Sequence, residues 1–177
     1  QEGLRLVHNT LVGVGLRDAI RLGASGKIVS AFDMARAIAL GADWCNSARG
    51  FMFALGCIQA QTCHTGRCPT GVTTQDPKRQ IALVVPDKAD RVHHFHQNTL
   101  EALREILEAA GLHAPGQIRP HHIMRRISEH EVAPLSALVE TLPPGALLPD
   151  AAPVKLSPLY ATWAMARAES FALAGDA

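Results

Sequence analysis

Hydrophobic positions in the first third of the chain alternate between spacing typical of helices and short runs typical of strands. The pattern predicts a helix, a strand, a helix, a strand and a helix, in that order. These elements are expected at residues 3–17, 20–24, 31–40, 42–46 and 49–55. Both strands are short, and the second is expected to be buried. Because this alternation is typical of parallel α/β units, the sequence predicts an α/β fold.

Local residues mark where these helices begin and end. Ser30 is a good N-cap, and Asp33 follows three positions later, so the second helix is expected to begin here. Gly41 is expected to end the same helix, because glycine readily adopts the left-handed conformation that follows many helices. Gly13 and Gly15 weaken the prediction of the first helix.

The pattern beyond residue 76 predicts mostly helical structure. Apolar positions at helical spacing indicate a long amphipathic helix over residues 87–110, ended by Gly111. Shorter helices are expected near residues 122–127 and 135–141.

The last part of the chain begins with a proline-rich segment. Residues 143–153 are expected to form a stiff, exposed linker. A final helix is expected to run to about residue 173, with Ser157 at its N-cap and Pro158 in its first turn. The pattern of predicted elements and the proline content therefore divide the chain into three parts, which are residues 1–76, 77–142 and 143–177.

Composition excludes several classes of function. The chain has 177 residues, 47% of them apolar, which is enough for a sizeable core. A net charge of +1 and the lack of a basic stripe argue against nucleic acid as a partner. No apolar run approaches the roughly 20 residues of a membrane span, and no signal peptide is recognisable. We expect a cytoplasmic protein, and we expect the chain to be a piece of a longer one, because two strands cannot close an α/β domain.

Three cysteines provide the clearest chemical signal. Cys57, Cys63 and Cys68 follow one another in a C-x5-C-x4-C run, and Pro69 comes next. A loop that presents three thiolates to one centre is typical of iron–sulfur clusters and of soft metal ions. Gly66 permits a tight turn within this loop. Backbone N–H groups in such a loop can donate to the sulfurs and influence the reduction potential of a cluster.

Other interpretations of the three cysteines stay open from spacing alone. A disulfide with one spare thiol would need an oxidising compartment. Zinc bound by the three thiolates and His64 is chemically reasonable, although zinc sites usually contain a more closely spaced cysteine pair. Unligated or redox-active thiols are the remaining alternative. The fourth cysteine, Cys45, lies in an apolar segment and is expected to be a core residue.

Several short motifs together resemble a known family. They are His8-Asn9-Thr10-Leu11-Val12, Gly15-Leu16-Arg17-Asp18, Ala39-Leu40-Gly41-Ala42, Ala54-Leu55-Gly56-Cys57 and the run Cys63-His64-Thr65 to Cys68-Pro69-Thr70-Gly71-Val72. This set resembles the end of the FMN-binding synthase domain of glutamate synthase. It is most similar to the single-module, FMN-binding glutamate-synthase-like proteins. The resemblance is dense over residues 3–76 and looser in the tail.

The resemblance implies a fold and two cofactors. The domain in that family is a (β/α)8 TIM barrel, so this chain is expected to be its carboxyl-terminal portion followed by a mostly helical tail. The strands at 20–24 and 42–46 would be the seventh and eighth. The cysteines hold a 3Fe–4S cluster in the family, and the matching ligands here are Cys57, Cys63 and Cys68.

FMN phosphate is expected on the loops that follow the last two barrel strands. The matching residues are Ser25, Gly26 and Lys27 in the first loop and Ala48 and Arg49 in the second. The family usually has Asp-Gly-Gly in the first loop and Gly-x-Gly-Thr in the second. Here glycines are replaced and a basic residue is gained in each loop. The change predicts that the side chains of Lys27 and Arg49 bind the phosphate.

The resemblance also implies a reaction and partners. In the family, electrons pass from a donor such as ferredoxin or a reductase subunit through the cluster to FMN. The reduced flavin converts 2-iminoglutarate, derived from 2-oxoglutarate and ammonia or glutamine nitrogen, into glutamate. No glutaminase nucleophile is recognisable here, and no catalytic residue can be assigned from the sequence. The chain alone is therefore expected to be inactive.

Overall fold

The computed structural model describes residues 2–152 and 155–170, and it mixes helices with short strands. The helices are α1 (Glu2–Gly13), α2 (Ala31–Ala39), α3 (Ala48–Leu55), α4 (Pro77–Gln80), α5 (Val85–Ala109) and α6 (Leu135–Leu138). The strands are β1 (Gly23–Ser25), β2 (Trp44–Asn46), β3 (Met124–Arg126) and β4 (Val132–Pro134). Single 3-10 turns lie at Cys63–Thr65, Pro115–Gln117, Pro120–His122, Pro158–Tyr160 and Trp163–Met165.

The first part of the chain forms one parallel β-α-β unit followed by a helix. Strand β1 pairs with β2 in parallel, with Ala24 opposite Cys45, and α2 connects the two strands. The predicted order of elements from α1 to α3 is confirmed, as is the α/β character. The helix α1 ends at Gly13, earlier than predicted, because the chain turns at Gly15 with a φ of 73°.

Helix α2 begins where its sequence predicts. Ser30 Oγ accepts a hydrogen bond from the Asp33 backbone N–H at 3.2 Å, and Asp33 Oδ2 accepts one from the Ser30 N–H at 3.0 Å. This reciprocal pair satisfies backbone donors that a helix start otherwise leaves free. Gly41 follows the helix with a φ of 111°, in the left-handed region that glycine tolerates.

Small residues on α2 let it pack closely on both sides. Ala31, Ala35 and Ala39 are buried in a cluster with Leu103 and Leu107 of α5. On another side of α2, Ala37 packs in a second cluster that includes Ala24 of β1 together with Ile28 and Ala42. These two clusters therefore place α2 between the parallel strands and α5.

Both parallel strands are shorter and β2 is more exposed than predicted. Strand β1 covers residues 23–25 and β2 covers residues 44–46, each three residues long. Trp44 is 49% exposed and Asn46 is exposed, so the prediction of a buried second strand is wrong. Among the described residues this sheet contains two strands, and the far edge of β2 therefore has no neighbouring strand to cover it.

The segment after α5 contains less helix than its sequence predicts. The helix expected near 122–127 is replaced by the turn Pro120–His122 and by β3, which pairs antiparallel with β4. Pairing satisfies the backbone of β3, while Ile123 just before it is buried in the core. The helix expected over 135–141 is confirmed only as α6, because Val139 is already extended.

The expected exposed linker is attached to the end of α1. Leu147 is buried with Leu142 and Tyr160. The backbone N–H of Gly145 donates to the Val12 carbonyl at 3.1 Å, and further hydrogen bonds of the same kind fix the segment. Pro143, Pro144 and Pro149 are exposed, so the described part of residues 143–152 is exposed at its prolines, as predicted, and anchored at Leu147.

The expected carboxyl-terminal helix is absent from residues 157–170. Two 3-10 turns, Pro158–Tyr160 and Trp163–Met165, occupy this stretch. Ser157 does not cap a helix, because its N–H and Oγ donate to the Glu140 carboxylate at 3.1 and 2.7 Å. Pro158 instead begins the first of these two 3-10 turns. The rest of the predicted helix, at residues 171–173, lies outside the described residues.

None of the helices in residues 2–152 and 155–170 combines the length and the apolar character that crossing a bilayer requires.

Gly41 provides a test of how α1 packs against the β-α-β unit. A Cβ added at this position would collide with the His8 ring, and the positive φ disfavours any other residue. We expect Gly41→Ala to lower the free energy of unfolding by about 2 kcal/mol or more, measured by denaturant titration. Gly116→Ala is the matched control, because nothing lies within 4 Å of its added Cβ. Equal stability of the two variants would contradict this packing.

Candidate functional site

The loops that follow the two parallel strands lie side by side. Ser25 at the end of β1 pairs in register with Asn46 at the end of β2. The next residue, Ser47, donates a hydrogen bond from Oγ to the Ile28 carbonyl at 2.7 Å. The structure therefore brings the first predicted loop, residues 25–27, to the same sheet edge as the second, residues 47–50.

The first loop turns through two left-handed residues. Gly26 has a φ of 100° and Lys27 a φ of 56°. The second value is unusual for a residue with a side chain and costs of order 1 kcal/mol or more. Ser25, Gly26 and Lys27 are all exposed. Within the described residues Lys27 takes part in no ion pair, so its ammonium group is available to an anion.

The second loop leads directly into α3. Ala48 and Arg49 form the first turn of this helix and are both exposed. The next residue, Gly50, is buried, and an added Cβ would lie 2.7 Å from Phe95 Cζ of α5. The Phe51 ring meets Phe95 edge to face at 5.3 Å between centroids. These contacts fix the start of α3 and direct Arg49 outward.

Helix α3 ends at Gly56 and releases the chain into the cysteine loop. Gly56 has a φ of 106°, which terminates the helix. Gln59 and Gln61 adopt left-handed conformations with φ values of 57° and 56°. The Gln59 N–H points back to Cys57 Sγ at 3.5 Å. Backbone donors of this kind stabilise negative charge on a sulfur.

The three predicted ligands line one small cavity. Cys57, Cys63 and Cys68 all face a space of about 10 Å³, together with Met52, Ile58, Thr62, Thr70, Val72 and Thr73 among others. All three cysteines are free thiols. His64 is exposed and does not line this cavity. Within residues 2–152 and 155–170, no three His, Cys, Asp or Glu side chains are already arranged to hold a metal ion. The three thiols are soft donors of the kind that a thiolate-bound group needs, and all three face one space.

The end of the cysteine loop is closed by contacts with α4. Thr74 is buried, and its hydroxyl donates to the Gly66 carbonyl. The Gln80 side chain donates to the Thr74 carbonyl at 2.8 Å. Gly71 lies against the Arg79 carbonyl with a φ of 79°, and no room remains for a Cβ. These contacts hold the segment on the carboxyl side of Cys68 in place.

Cys68 has the most strongly perturbed thiol in the loop. Its Sγ lies 3.4 Å from Thr70 Oγ1. Hydrogen bonds from the Thr70 hydroxyl and from the Thr73 backbone lower the pKa of Cys68 to about 6. At neutral pH this sulfur is therefore largely a thiolate, the form that binds metal. Cys45 is half-buried against the cluster of Ala24 and Ala37, and burial raises the pKa of its thiol.

The threonines around Cys68 were not identified from the sequence. The sequence shows a hydroxyl residue two positions after Cys68, but this spacing does not predict a contact. The contact exists because the turn brings Thr70 Oγ1 to Cys68 Sγ. Thr62 Oγ1 is also buried at this cavity and has no hydrogen-bond partner among the described residues.

The contact between Thr70 and Cys68 can be tested through the pKa of the Cys68 thiol. Replacement Thr70→Val should raise the pKa of Cys68 by about one, because the thiolate loses a hydrogen bond. The measurement is the pH dependence of Cys68 alkylation in the reduced, metal-free protein, followed by peptide mass spectrometry. Thr62→Val is the matched control, since Thr62 lines the same cavity without bonding a sulfur. An unchanged pKa in Thr70→Val would show that its hydroxyl does not stabilise the thiolate.

Comparison with known proteins assigns the chain to a family. Residues 1–113 match the family described as a conserved region in glutamate synthase. The glutamate synthase large subunit-like protein YerD of Bacillus subtilis is 40% identical over 136 residues, which is 77% of this chain and 26% of that protein.

Two further relatives carry names that refer to an electron source. The archaeal-type glutamate synthase [NADPH] of Thermotoga maritima is 32% identical over 127 residues, covering 71% of this chain and 25% of its own length. The ferredoxin-dependent glutamate synthase of Cyanidium caldarium is 35% identical over 116 residues, covering 66% and 7% respectively. The chain spans about a quarter or less of the length of these relatives. By these matches, the chain belongs to the glutamate synthase family.

Proposed function

We propose that this chain is the carboxyl-terminal part of the FMN-binding synthase domain of a glutamate-synthase-like oxidoreductase. Strands β1 and β2 would be the seventh and eighth of a (β/α)8 barrel. The parallel pairing, the crossover through α2 and the exposed edge at Trp44 support this assignment, because parallel strands are normally covered on both sides. The observation that carries the proposal is the shared cavity of Cys57, Cys63 and Cys68, in a loop joined by α3 to the end of β2.

The three cysteines would hold a 3Fe–4S cluster. Their thiolates supply the soft ligands that such a group requires, and the Cys68 sulfur is already stabilised as an anion. The Gln59 N–H and the Thr70 hydroxyl would remain as donors to the sulfurs. Donors to cluster sulfurs stabilise the more negative, reduced state, so these residues would raise the reduction potential. Reduced thiols suit the cytoplasm, where we propose that the protein works.

The phosphate of FMN would lie between the two strand-end loops. Ser25 and Gly26 offer backbone and hydroxyl groups, and Ala48 offers a backbone N–H at the start of α3. Lys27 and Arg49 would supply the positive charge that the dianion needs. Both side chains are exposed, and neither forms an ion pair among the described residues.

The proposed reaction is the reductive formation of glutamate from 2-oxoglutarate, with nitrogen from glutamine or ammonia. When bound, the two cofactors would supply electron transfer and hydride chemistry. Relatives named for NADPH and for ferredoxin make a reductase subunit or ferredoxin the proposed electron donor. The described chain supplies one part of the barrel edge and the cysteine loop. We therefore propose that it does not turn over substrate by itself.

The cluster can be tested by colour and composition. We expect the full-length protein, purified without oxygen, to be brown and to contain iron and sulfide. Cys63→Ser should lose the broad visible absorption while retaining its far-ultraviolet circular dichroism. Cys45→Ser is the matched control and should keep the colour, because Cys45 does not line the cavity. A colourless protein with one zinc per chain would contradict the proposal and favour a non-catalytic, zinc-stabilised binding module.

The phosphate loops can be tested through FMN affinity. Lys27→Met and Arg49→Met in the full-length protein should each weaken FMN binding about tenfold, because each removes a charge-assisted hydrogen bond. Quenching of flavin fluorescence on binding gives the dissociation constant. Lys155→Met, at an exposed lysine elsewhere in the chain, should leave the constant unchanged. Equal constants for all three variants would place the phosphate elsewhere.

A further inference from the structure

A second cavity lies at the end of the sheet opposite the phosphate loops. Leu22 and Asp43 immediately precede β1 and β2, and their backbones are joined by a hydrogen bond from Asp43 N–H to the Leu22 carbonyl at 2.7 Å. A cavity of about 690 Å³ opens beside Asp43. That volume is within the range of small-molecule sites. Residues 25–27 and 47–49 do not line it, so the cavity is separate from the candidate cofactor site.

The cavity is lined by an excess of positive charge. Four arginines face it, against the two carboxylates of Asp18 and Asp43. The arginines are Arg5, Arg17, Arg21 and Arg119. Asp43 is already paired with two of them, because its carboxylate accepts from Arg17 at 2.9 Å and from Arg21 at 3.3 Å. Burial alone would raise the pKa of Asp43, but hydrogen bonds from the Leu22 N–H and from Arg17 outweigh burial and lower the pKa below its usual value. Asp43 therefore stays ionised.

Arg5 is a buried cation in this cavity that has no direct ion pair. It is 9% exposed, and its guanidinium donates to the Glu140 carbonyl at 2.9 Å and to Thr141 Oγ1 at 2.7 Å. Both acceptors are neutral, and within the described residues Arg5 forms no salt bridge. The Glu140 carboxylate, which accepts hydrogen bonds from Ser157, attracts Arg5 from a distance. Burial of a cation without a contacting anion is costly, and an anion in the cavity would offset part of that cost.

Arg119 supplies a second cation that forms no ion pair among the described residues, and part of its guanidinium makes no hydrogen bond there. Its Nη1 donates to the Gly116 and Ile118 carbonyls, and these are the hydrogen bonds that it makes within the described chain. Its remaining guanidinium donors are free to bind a ligand. Guanidinium forks match carboxylate and phosphate oxygens in shape and charge. Arg5 and Arg119 therefore present charge to one cavity from α1 and from the segment after α5.

His8 lies beside two arginines of the same cavity. Its Nδ1 accepts a hydrogen bond from Arg17 Nε at 3.0 Å, an arrangement that requires a neutral imidazole. Burial is the main cause that lowers the pKa of His8 to about 4, and the charges of Arg5 and Arg17 act in the same direction. The two guanidinium charges that disfavour a proton on this ring would favour an anion.

We propose that this cavity, bounded by Arg5, Arg21 and Arg119, binds a small dianion that carries carboxylate or phosphate groups. The ligand would contact the unpaired guanidinium donors while Arg17 remains engaged with Asp43. The site would act at a distance from the cysteine loop, because it opens at the amino-terminal ends of the strands. It is independent of the proposed cofactors.

The test is titration calorimetry of the full-length protein with inorganic phosphate and, separately, with succinate. Constant ionic strength removes general screening effects. All titrations use a background with both Lys27→Met and Arg49→Met, so that the strand-end loops lose both of the cations proposed to bind phosphate there. We expect saturable binding of at least one anion with one site per chain. Saturation by phosphate alone identifies a phosphate ligand, and saturation by succinate alone identifies a dicarboxylate.

Variants determine whether the anion binds in this cavity. Arg119→Gln and Arg21→Gln should each weaken the association about tenfold. Both residues are exposed, so folding can be preserved and is checked by circular dichroism. Arg125→Gln is the matched control, because this exposed arginine on β3 does not line the cavity. The proposal is overturned if neither anion saturates by about 10 mM, or if Arg125→Gln weakens binding as much as the cavity variants.

Discussion

The close approach of α2 to its neighbours on two sides is the constraint on which the rest of the structure depends. Alanine at the contact positions lets α5 lie directly on α2, with Ala35 fully buried. Larger side chains would separate the layers, because protein interiors have little spare volume. Helix α5 in turn supports α3 through Phe95, and α3 releases the chain into the cysteine loop. The position of the sulfurs is therefore set by packing that begins at α2.

A polar clasp aligns the two parallel strands at their amino-terminal ends. Asp43 Oδ2 accepts from the Leu22 N–H at 2.7 Å and from Arg17 Nη2 at 2.9 Å. Because this clasp joins the residues just before β1 and β2, the strands run in register and end together. Ser25 and Asn46 are therefore adjacent, and the loops beyond them form one surface. The same clasp forms one side of the arginine-lined cavity.

Much of the first half could be predicted because its signals are local. Ser30 with Asp33 marks the start of α2 within four residues, and the spacing of the three cysteines needs no knowledge of the fold. The carboxyl-terminal part depends on contacts distant in sequence. Ser157 looks like a helix cap, but Glu140 takes its hydrogen bonds. Pairing of β3 with β4 likewise decides the backbone of a stretch whose local pattern suggested a helix.

The candidate site divides in the same way. The candidate ligand cysteines were evident from spacing, whereas the Thr70 hydroxyl matters only because a turn brings it to Cys68 Sγ. The arginine-lined cavity had no local signal, since its charges come from α1, from the loops before the strands and from the segment after α5. Convergence of residues from distant segments is a property of the fold, and a single sequence does not display it.

The length of α5 limits how this part of the family can vary. Phe95, near the middle of this 25-residue helix, contacts α3, and Leu103 and Leu107 in its last part contact α2. Each residue of an α-helix rotates the chain by about 100°. A single insertion or deletion between Phe95 and Leu103 would therefore turn one contact face away from its partner. We expect natural length variation among relatives to avoid this interval and to collect in the connections outside α5.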